Sequence, residues 1–253
     1  MFGQPSEANH WFFETIEQTE ALNRLMYVVE NGEAFCVLEG AYGTGKSTVL
    51  RKTVGELGNS GRRAVYLNVA SLDCRAILWH LSGALSIFSH IDTDASDLMM
   101  LIRDELTARA ECSHPTVVLL DDVDLAQENV QSVLHLLTSI AESSRGQIAL
   151  LAATELPLSF AIQQRTTLHV ALDRLEAQES VEFAVRYLAS LKCDVDNVTS
   201  TGWRAIADLG EGLPARLMRV CRIVEAVAGM QDGTIDAALI HEAARELLPS
   251  RAA

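Results

Sequence analysis

The sequence predicts an α/β protein in which an open five-stranded parallel sheet, with helices on both faces, precedes an all-helical lid. Three observations support this fold class. Short apolar runs alternate with longer helical patterns up to Leu172, the strand signal then stops, and a glycine-rich loop pattern follows the first apolar run. We therefore expect an N-terminal linker and helix at 1–30, an α/β core at 31–173 and a helical lid domain at 174–253.

Five apolar or β-branched runs are the predicted strands. Their character is nearly continuous rather than alternating, which is typical of strands that helices cover on both faces of a parallel sheet. The runs are Ala34–Gly40, Ala64–Val69, Thr116–Asp122, Gln147–Thr154 and Thr166–Leu172.

The predicted helices outside the core have apolar residues at spacings of three and four, separated by breakers such as "GEGLP". One helix precedes the first strand at Thr15–Glu30. Four more form the predicted lid, at Glu176–Ser190, Thr199–Leu209, Leu213–Gly229 and Thr234–Leu248.

Composition narrows the classes of function. The formal charge is −14, from 20 basic and 34 acidic residues, which disfavours DNA binding because phosphate contacts need clustered Lys and Arg. A local basic patch, and so DNA binding, stays open. Five scattered cysteines without a C-x-x-C pair indicate neither a disulfide framework nor a zinc site. With no signal-peptide pattern or long apolar run, we expect a cytoplasmic protein without direct membrane insertion.

The stretch "GAYGTGKST" fits the phosphate-binding pattern G-x-x-x-x-G-K-[ST] between a predicted strand and a predicted helix. Glycines let the backbone turn its N–H groups toward phosphates, and the following helix presents its positive end to the same anion. Lys46 is expected to reach the β and γ phosphates of ATP, and the Ser47 hydroxyl to bind Mg²⁺. The predicted nucleotide-binding residues are Gly40, Ala41, Tyr42, Gly43, Thr44, Gly45, Lys46, Ser47 and Thr48.

Two acidic residues end the third predicted strand, in "TVVLLDDVDLA". Ligands of open α/β sheets bind at the carboxyl ends of the strands, so Asp121 is expected to hold Mg²⁺ through water. A helix cap or strand-ending turn made of acids is the alternative. Asp122 follows directly and is a candidate for catalysis.

These motifs, with "LLAATELPLSF" and "GEGLPARLMRVC", resemble the AAA+ ATPases of the ExeA or general secretion pathway protein A type, which are related to TniB- and TnsC-like transposition ATPases. The resemblance implies a P-loop NTPase sheet of order 5-1-4-3-2, a helical lid, and ATP bound at an interface between subunits of a homo-oligomer. In that family a glutamate usually orients the attacking water, whereas this sequence has the shorter Asp122. Because positioning errors of 1 Å cost about 100-fold in rate, we expect slow hydrolysis.

The resemblance suggests roles for three further residues. Thr154 matches the polar position that senses the γ-phosphate or holds the water, although a turn could equally satisfy its hydroxyl. Arg165 matches the arginine finger that completes a neighbour's site, with a purely structural arginine as the alternative. In "GLPAR" the usual lid arginine is Ala215, and Arg216 lies about 100° further round the helix, which puts its contact with phosphate in doubt.

Two functions from different classes fit this sequence. One is an ATPase that self-associates and drives a partner assembly of the secretion, pilus or transposition type. The other is an ATP-binding regulatory module without catalysis. The sequence does not identify the protein partner. Trp11, Phe12 and Phe13 are candidates for packing on adenine or for anchoring the N-terminus to the core.

Overall fold

The computed structural model describes residues 15–127, 130–193, 195–229 and 233–247. Its described residues form two compact units. One comprises Ile16–Ala41 and Lys46–Leu172, and the other comprises Thr15, the loop segment Tyr42–Gly45 and the chain from Asp173 onward. The boundaries drawn from the sequence at residues 30 and 173 stay a prediction.

A five-stranded sheet forms the centre of the first unit. Its strands are β1 (Phe35–Glu39), β2 (Arg63–Asn68), β3 (Thr116–Asp121), β4 (Ile148–Thr154) and β5 (Leu168–Ala171). The spatial order is β2-β3-β4-β1-β5, and every pairing is parallel. This is the order 5-1-4-3-2 that the family resemblance implies, so the predicted fold class is confirmed.

The expectation that helices bury every strand on both faces holds for the central strands and fails at the edges. All residues of β3 and β4 are buried, whereas β2 and β5 each bury only one residue. Both are edge strands with a single neighbour, so less of their surface is covered. Their apolar runs look alike in sequence because β-propensity does not encode position in the sheet.

Helices on the two faces build two separate cores. Buried residues of α1 (Ile16–Glu30) and α2 (Lys46–Asn59) pack on one face of the sheet. On the other face lie α3 (Cys74–Ala84), α4 (Ala95–Glu111) and α5 (Val130–Ser143). Asp73 and Asp94 begin α3 and α4 as N-caps, accepting backbone N–H groups of the first turn. The short helix α6 (Phe160–Gln163) connects β4 to β5.

Among the described residues from Asp173 onward, the regular structure of the second unit is helical, apart from an isolated bridge between Val198 and Ile235. Its helices are α7 (Ala177–Ser190), α8 (Ser200–Gly210), α9 (Pro214–Ala228) and α10 (Ala237–Leu247), around an apolar core of their own. Local sequence sets their starts: Glu176 and Glu179 form a capping box, Thr199 caps α8, and a proline opens α9. The four predicted lid helices are therefore present.

The aromatic residues Trp11, Phe12 and Phe13, and the predicted helix end at Leu248, lie outside the described residues. Within the described ranges, no helix combines the length and apolar character that crossing a membrane requires.

Candidate functional site

Several predicted site residues lie at the carboxyl edge of the sheet, where three neighbouring strands end. Glu39 at the end of β1 lies opposite Thr154 at the end of β4. The next residue, Gly40, donates its N–H to the Thr154 carbonyl oxygen at 3.2 Å. Asp121 ends β3, the other neighbour of β4. Gly40, Asp121 and Thr154 therefore lie at the same edge of the sheet, as residues at the ends of parallel strands should.

The backbone of the predicted phosphate-binding loop has the conformation that its glycines permit. Gly43 and Gly45 have φ angles of +88° and +106°, which L side chains rarely adopt. Lys46 then begins α2 and is buried, with its Nζ donating to the carbonyl oxygens of Gly40 at 2.6 Å and Ala41 at 3.2 Å. Ser47 and Thr48 follow in the first turn of α2. A buried ammonium beside a helix N-terminus suits a polyphosphate.

Asp121 is a fully buried carboxylate, and each of its two oxygens accepts a hydrogen bond. The Tyr66 hydroxyl donates to Oδ2 at 2.6 Å, and the backbone N–H of Asp122 donates to Oδ1 at 3.1 Å. Burial, and then the hydrogen bond to Asp121, raises the pKa of Tyr66 far above its usual range, so the phenol stays a donor. Each carboxylate oxygen keeps a second lone pair, so Asp121 and the Ser47 hydroxyl are oxygen donors of the type that Mg²⁺ prefers.

Asp122 has a left-handed backbone, with φ 55° and ψ 47°. Among residues other than glycine, Asp and Asn adopt this conformation most readily. Its Oδ2 accepts a hydrogen bond from Asn68 Nδ2 at 2.7 Å, while Asn68 Oδ1 accepts the Ala70 N–H at 3.0 Å. Asn68 thus ties the end of β2 to the candidate catalytic acid. Sequence reasoning missed this residue, although a polar side chain closing an apolar run was a usable signal.

Thr154, the last residue of β4, and Asp124, a third acid after β3, both hydrogen-bond to the turn that follows β4. The Thr154 hydroxyl donates to the Leu156 carbonyl oxygen at 2.6 Å, the turn contact that the alternative interpretation expects. Asp124 Oδ1 accepts the Glu155 N–H at 3.0 Å, so it joins the segment after β3 to the segment after β4. The Thr154 oxygen can still accept a hydrogen bond, and its sensing role stays a prediction.

Arg165, the predicted arginine finger, follows α6 and makes contacts within its own unit. Its guanidinium forms a two-pronged pair with Glu142, at 3.0 Å from Nε and 2.6 Å from one terminal nitrogen. It also donates to Ser139 Oγ at 3.0 Å. The hydrogen bond from Arg165 is the main reason that the pKa of Glu142 lies below its ordinary value. Action on a neighbour would require Arg165 to leave this pair, so the finger role stays a prediction.

At the start of α9, Ala215 and Arg216 contact different partners. The Ala215 N–H donates to the Gly43 carbonyl oxygen at 3.2 Å, within the second unit. Arg216 forms an ion pair with Glu211 at 2.7 Å. The guanidinium is therefore committed to a neighbouring acid, and a contact between Arg216 and phosphate stays a prediction.

Comparison with known families identifies the class of protein. The model of the AAA ATPase domain matches residues 16–151, more than half of the chain. The chain belongs to the AAA ATPase family, whose members in general bind ATP with Mg²⁺ and hydrolyse it. The AAA+ resemblance drawn from the motifs is confirmed.

One relative and several solved structures are similar to most of this chain. The chain is 30% identical to general secretion pathway protein A of Aeromonas hydrophila over 211 residues, which cover 80% of this chain and 38% of that protein. Among solved structures, Cdc6p of Pyrobaculum aerophilum matches 97% of this chain and 70% of its own, with a TM-score of 0.74 and 16% identity.

Two further structures share the fold. Drosophila ORC bound to DNA matches 92% of this chain and 60% of its own, with a TM-score of 0.71 and 14% identity. The Holliday junction branch migration motor RuvB of Thermotoga maritima matches 93% of this chain and 70% of its own, with a TM-score of 0.61 and 16% identity. At these identities the likeness concerns the fold alone.

Proposed function

We propose that this chain is a slow ATPase that binds ATP with Mg²⁺ at the carboxyl edge of its sheet and self-associates to complete the site. One observation carries the proposal. The buried Lys46 begins the helix after β1, and β1 is separated by a single strand, β4, from β3, which ends in the buried Asp121. Family membership supports the same chemistry.

Each residue has a definite task in this proposal. Backbone N–H groups of the loop and Lys46 bind the phosphates, and Ser47 and Asp121 supply oxygens to Mg²⁺. When bound, Mg²⁺ neutralises charge that develops on the β and γ phosphate oxygens. Asp122 accepts a proton from, or orients, the attacking water. Since Asn68 already occupies one oxygen of Asp122, only the other one and the remaining lone pair are available for that task.

The second candidate function is ATP binding without hydrolysis, in which bound ATP determines which partner the protein binds. Two observations favour it: Asn68 holds the Asp122 carboxylate, and Ala215 stands where the resembling family has a lid arginine. Binding experiments alone do not separate the two functions, whereas phosphate release per subunit does.

We propose a protein partner of the secretion type, because the likeness to general secretion pathway protein A covers most of this chain. Those matched residues are 38% of that relative, so its remaining activities and partners stay proposals for this chain. DNA is the weaker proposal. The ORC structure bound to DNA and the Holliday junction motor RuvB share the fold alone with this chain, whose formal charge is −14.

Self-association is tested by mixing two inactive variants. Lys46→Ala removes the phosphate contact but keeps Arg165, and Arg165→Ala has the opposite defect. If Arg165 acts on a neighbour, turnover per subunit rises with protein concentration and the mixture regains activity that neither variant has alone. Arg24→Ala, which breaks an exposed arginine–glutamate pair on α1, is the matched control and should behave as the parent.

The internal ion pair of Arg165 gives this experiment a second arm. Glu142→Gln weakens the pair, so concentration-dependent turnover should appear at lower protein concentration than in the parent. A flat specific rate across a wide dilution series, together with an inactive mixture, contradicts the shared site and returns Arg165 to a structural role.

A further inference from the structure

Tyr66 contacts the metal-binding acid from a neighbouring strand. It lies on β2, and β2 pairs with β3 so that Tyr66 faces Leu119 and Asn68 faces Asp121. Tyr66 and Asn68 are two residues apart and therefore point to the same side of the sheet. The 2.6 Å separation between the Tyr66 hydroxyl and Asp121 Oδ2 is typical of a strong hydrogen bond to an ionised carboxylate.

Arg51 links the same tyrosine to the phosphate-binding helix. Its guanidinium carbon lies 5.5 Å from the centre of the Tyr66 ring, within the range of a cation–π contact. Arg51 is four residues after Ser47 in α2, so the two side chains share one face of that helix. The helix that carries Lys46 and Ser47 is thus joined through Arg51 and Tyr66 to the Asp121 carboxylate.

We propose that Tyr66 is a positioning residue: its hydroxyl orients Asp121 toward Mg²⁺, while Arg51 holds the tyrosine ring in place. This inference rests on the proposed function, because it assigns the residues that prepare the metal-binding side of the same site. The physical reason is general: groups that hydrogen-bond to a metal ligand fix its orientation, and losing one typically costs 10- to 100-fold in metal affinity or activity.

A purely structural role for Tyr66 makes a different prediction. If the hydroxyl only satisfies a buried carboxylate, its loss lowers stability and nucleotide affinity to the same extent with and without Mg²⁺. If it positions Asp121 for the ion, the loss appears only in the dependence on Mg²⁺. The phosphate contacts through Lys46 do not involve Tyr66, so binding in the absence of metal should persist.

The test is Tyr66→Phe, which removes one oxygen and keeps the ring over which Arg51 lies. Affinity for a non-hydrolysable ATP analogue is measured by calorimetry across a Mg²⁺ series and in excess EDTA. We expect the Mg²⁺ concentration for half-maximal tightening to rise by about 10-fold or more, with affinity in EDTA unchanged within about twofold. Arg51→Ala should shift the Mg²⁺ dependence in the same direction by a smaller factor.

Tyr27→Phe is the matched control, because it removes the hydroxyl of an exposed tyrosine on α1. It should leave both measurements at parent values. A Mg²⁺ dependence of Tyr66→Phe that coincides with the parent, or an equal loss of affinity in Mg²⁺ and EDTA, overturns the inference while the proposed function stands. If the parent itself binds no nucleotide in Mg²⁺, the proposed function and this inference are both wrong.

Discussion

Replacing Asp122 separates binding of ATP from its turnover. Asp122→Asn removes the negative charge but keeps a side chain that tolerates the left-handed backbone and can accept the hydrogen bond from Asn68 through its amide oxygen. The variant should therefore fold and bind ATP as the parent does. Turnover should fall by about 10²- to 10⁴-fold, the usual contribution of a positioned proton acceptor.

Asp122→Glu tests the reach of the same group. One methylene adds roughly 1.5 Å, and errors near 1 Å cost about 100-fold, so turnover should rise by up to about that factor. Glutamate adopts the left-handed backbone conformation at φ 55° less readily than aspartate does. We expect a penalty of about 1 kcal/mol, which lowers the melting temperature by about 2–4 °C in a unit of this size.

The assay for both variants is phosphate release under saturating ATP, with calorimetry to confirm that ATP affinity stays within about twofold of the parent. Asp124→Asn is the matched control, since its amide oxygen can still accept the Glu155 N–H. It should keep the parent rate. If Asp122→Asn turns over at the parent rate, the proposed role is wrong, and a large loss in Asp124→Asn would move it to Asp124.

Two further predictions concern stability, measured by urea denaturation. Arg165 lowers the pKa of Glu142, so the ion pair stabilises the fold at pH values above 4.5, the ordinary pKa of glutamate, and this stabilisation is lost as the pH falls through the lowered pKa. Arg165→Ala should therefore be more destabilising at pH 7 than at about pH 3. An equal loss of stability at both pH values would contradict a stabilising ion pair. Gly146→Ala should destabilise by more than about 1 kcal/mol, because φ is +80° and the new Cβ would lie 2.8 Å from the Gly32 Cα, whereas Gly55→Ala, inside α2 with open space around it, should stabilise by about 0.8 kcal/mol.

The fold was predictable because its signals are local. Continuous apolar runs identified β3 and β4, whose residues are all buried, and apolar spacings of three and four with breakers between them marked the lid helices. The edge position of β2 and β5 was not readable from apolar content, since it depends on which strands pair. The family resemblance supplied the strand order that the runs themselves do not contain.

The site was predictable where the chemistry lies in one short motif. Lys46 and Asp121 could be proposed as site residues because a loop pattern and a strand end each place the relevant side chains in adjacent residues, and their roles stay predictions. Tyr66 and Asn68 were missed because their partners are 55 and 54 residues away along the chain. The pairing of Arg165 with Glu142 is of the same kind, at a separation of 23 residues. Contacts of this range follow from strand register and helix packing, which a single sequence states only indirectly.

The central claim is that Lys46 binds the phosphates of ATP, and calorimetry of ATP with Mg²⁺ tests it most directly. The Lys46 Nζ donates to the carbonyl oxygens of Gly40 and Ala41, in the loop that would surround the phosphates. Removing hydrogen bonds from a charged donor costs about 1.5–3 kcal/mol, so Lys46→Ala should weaken affinity by about 10- to 100-fold or more. Lys52→Ala, a control on the same helix, should bind as the parent does. Unchanged affinity in Lys46→Ala would contradict the assignment of this site.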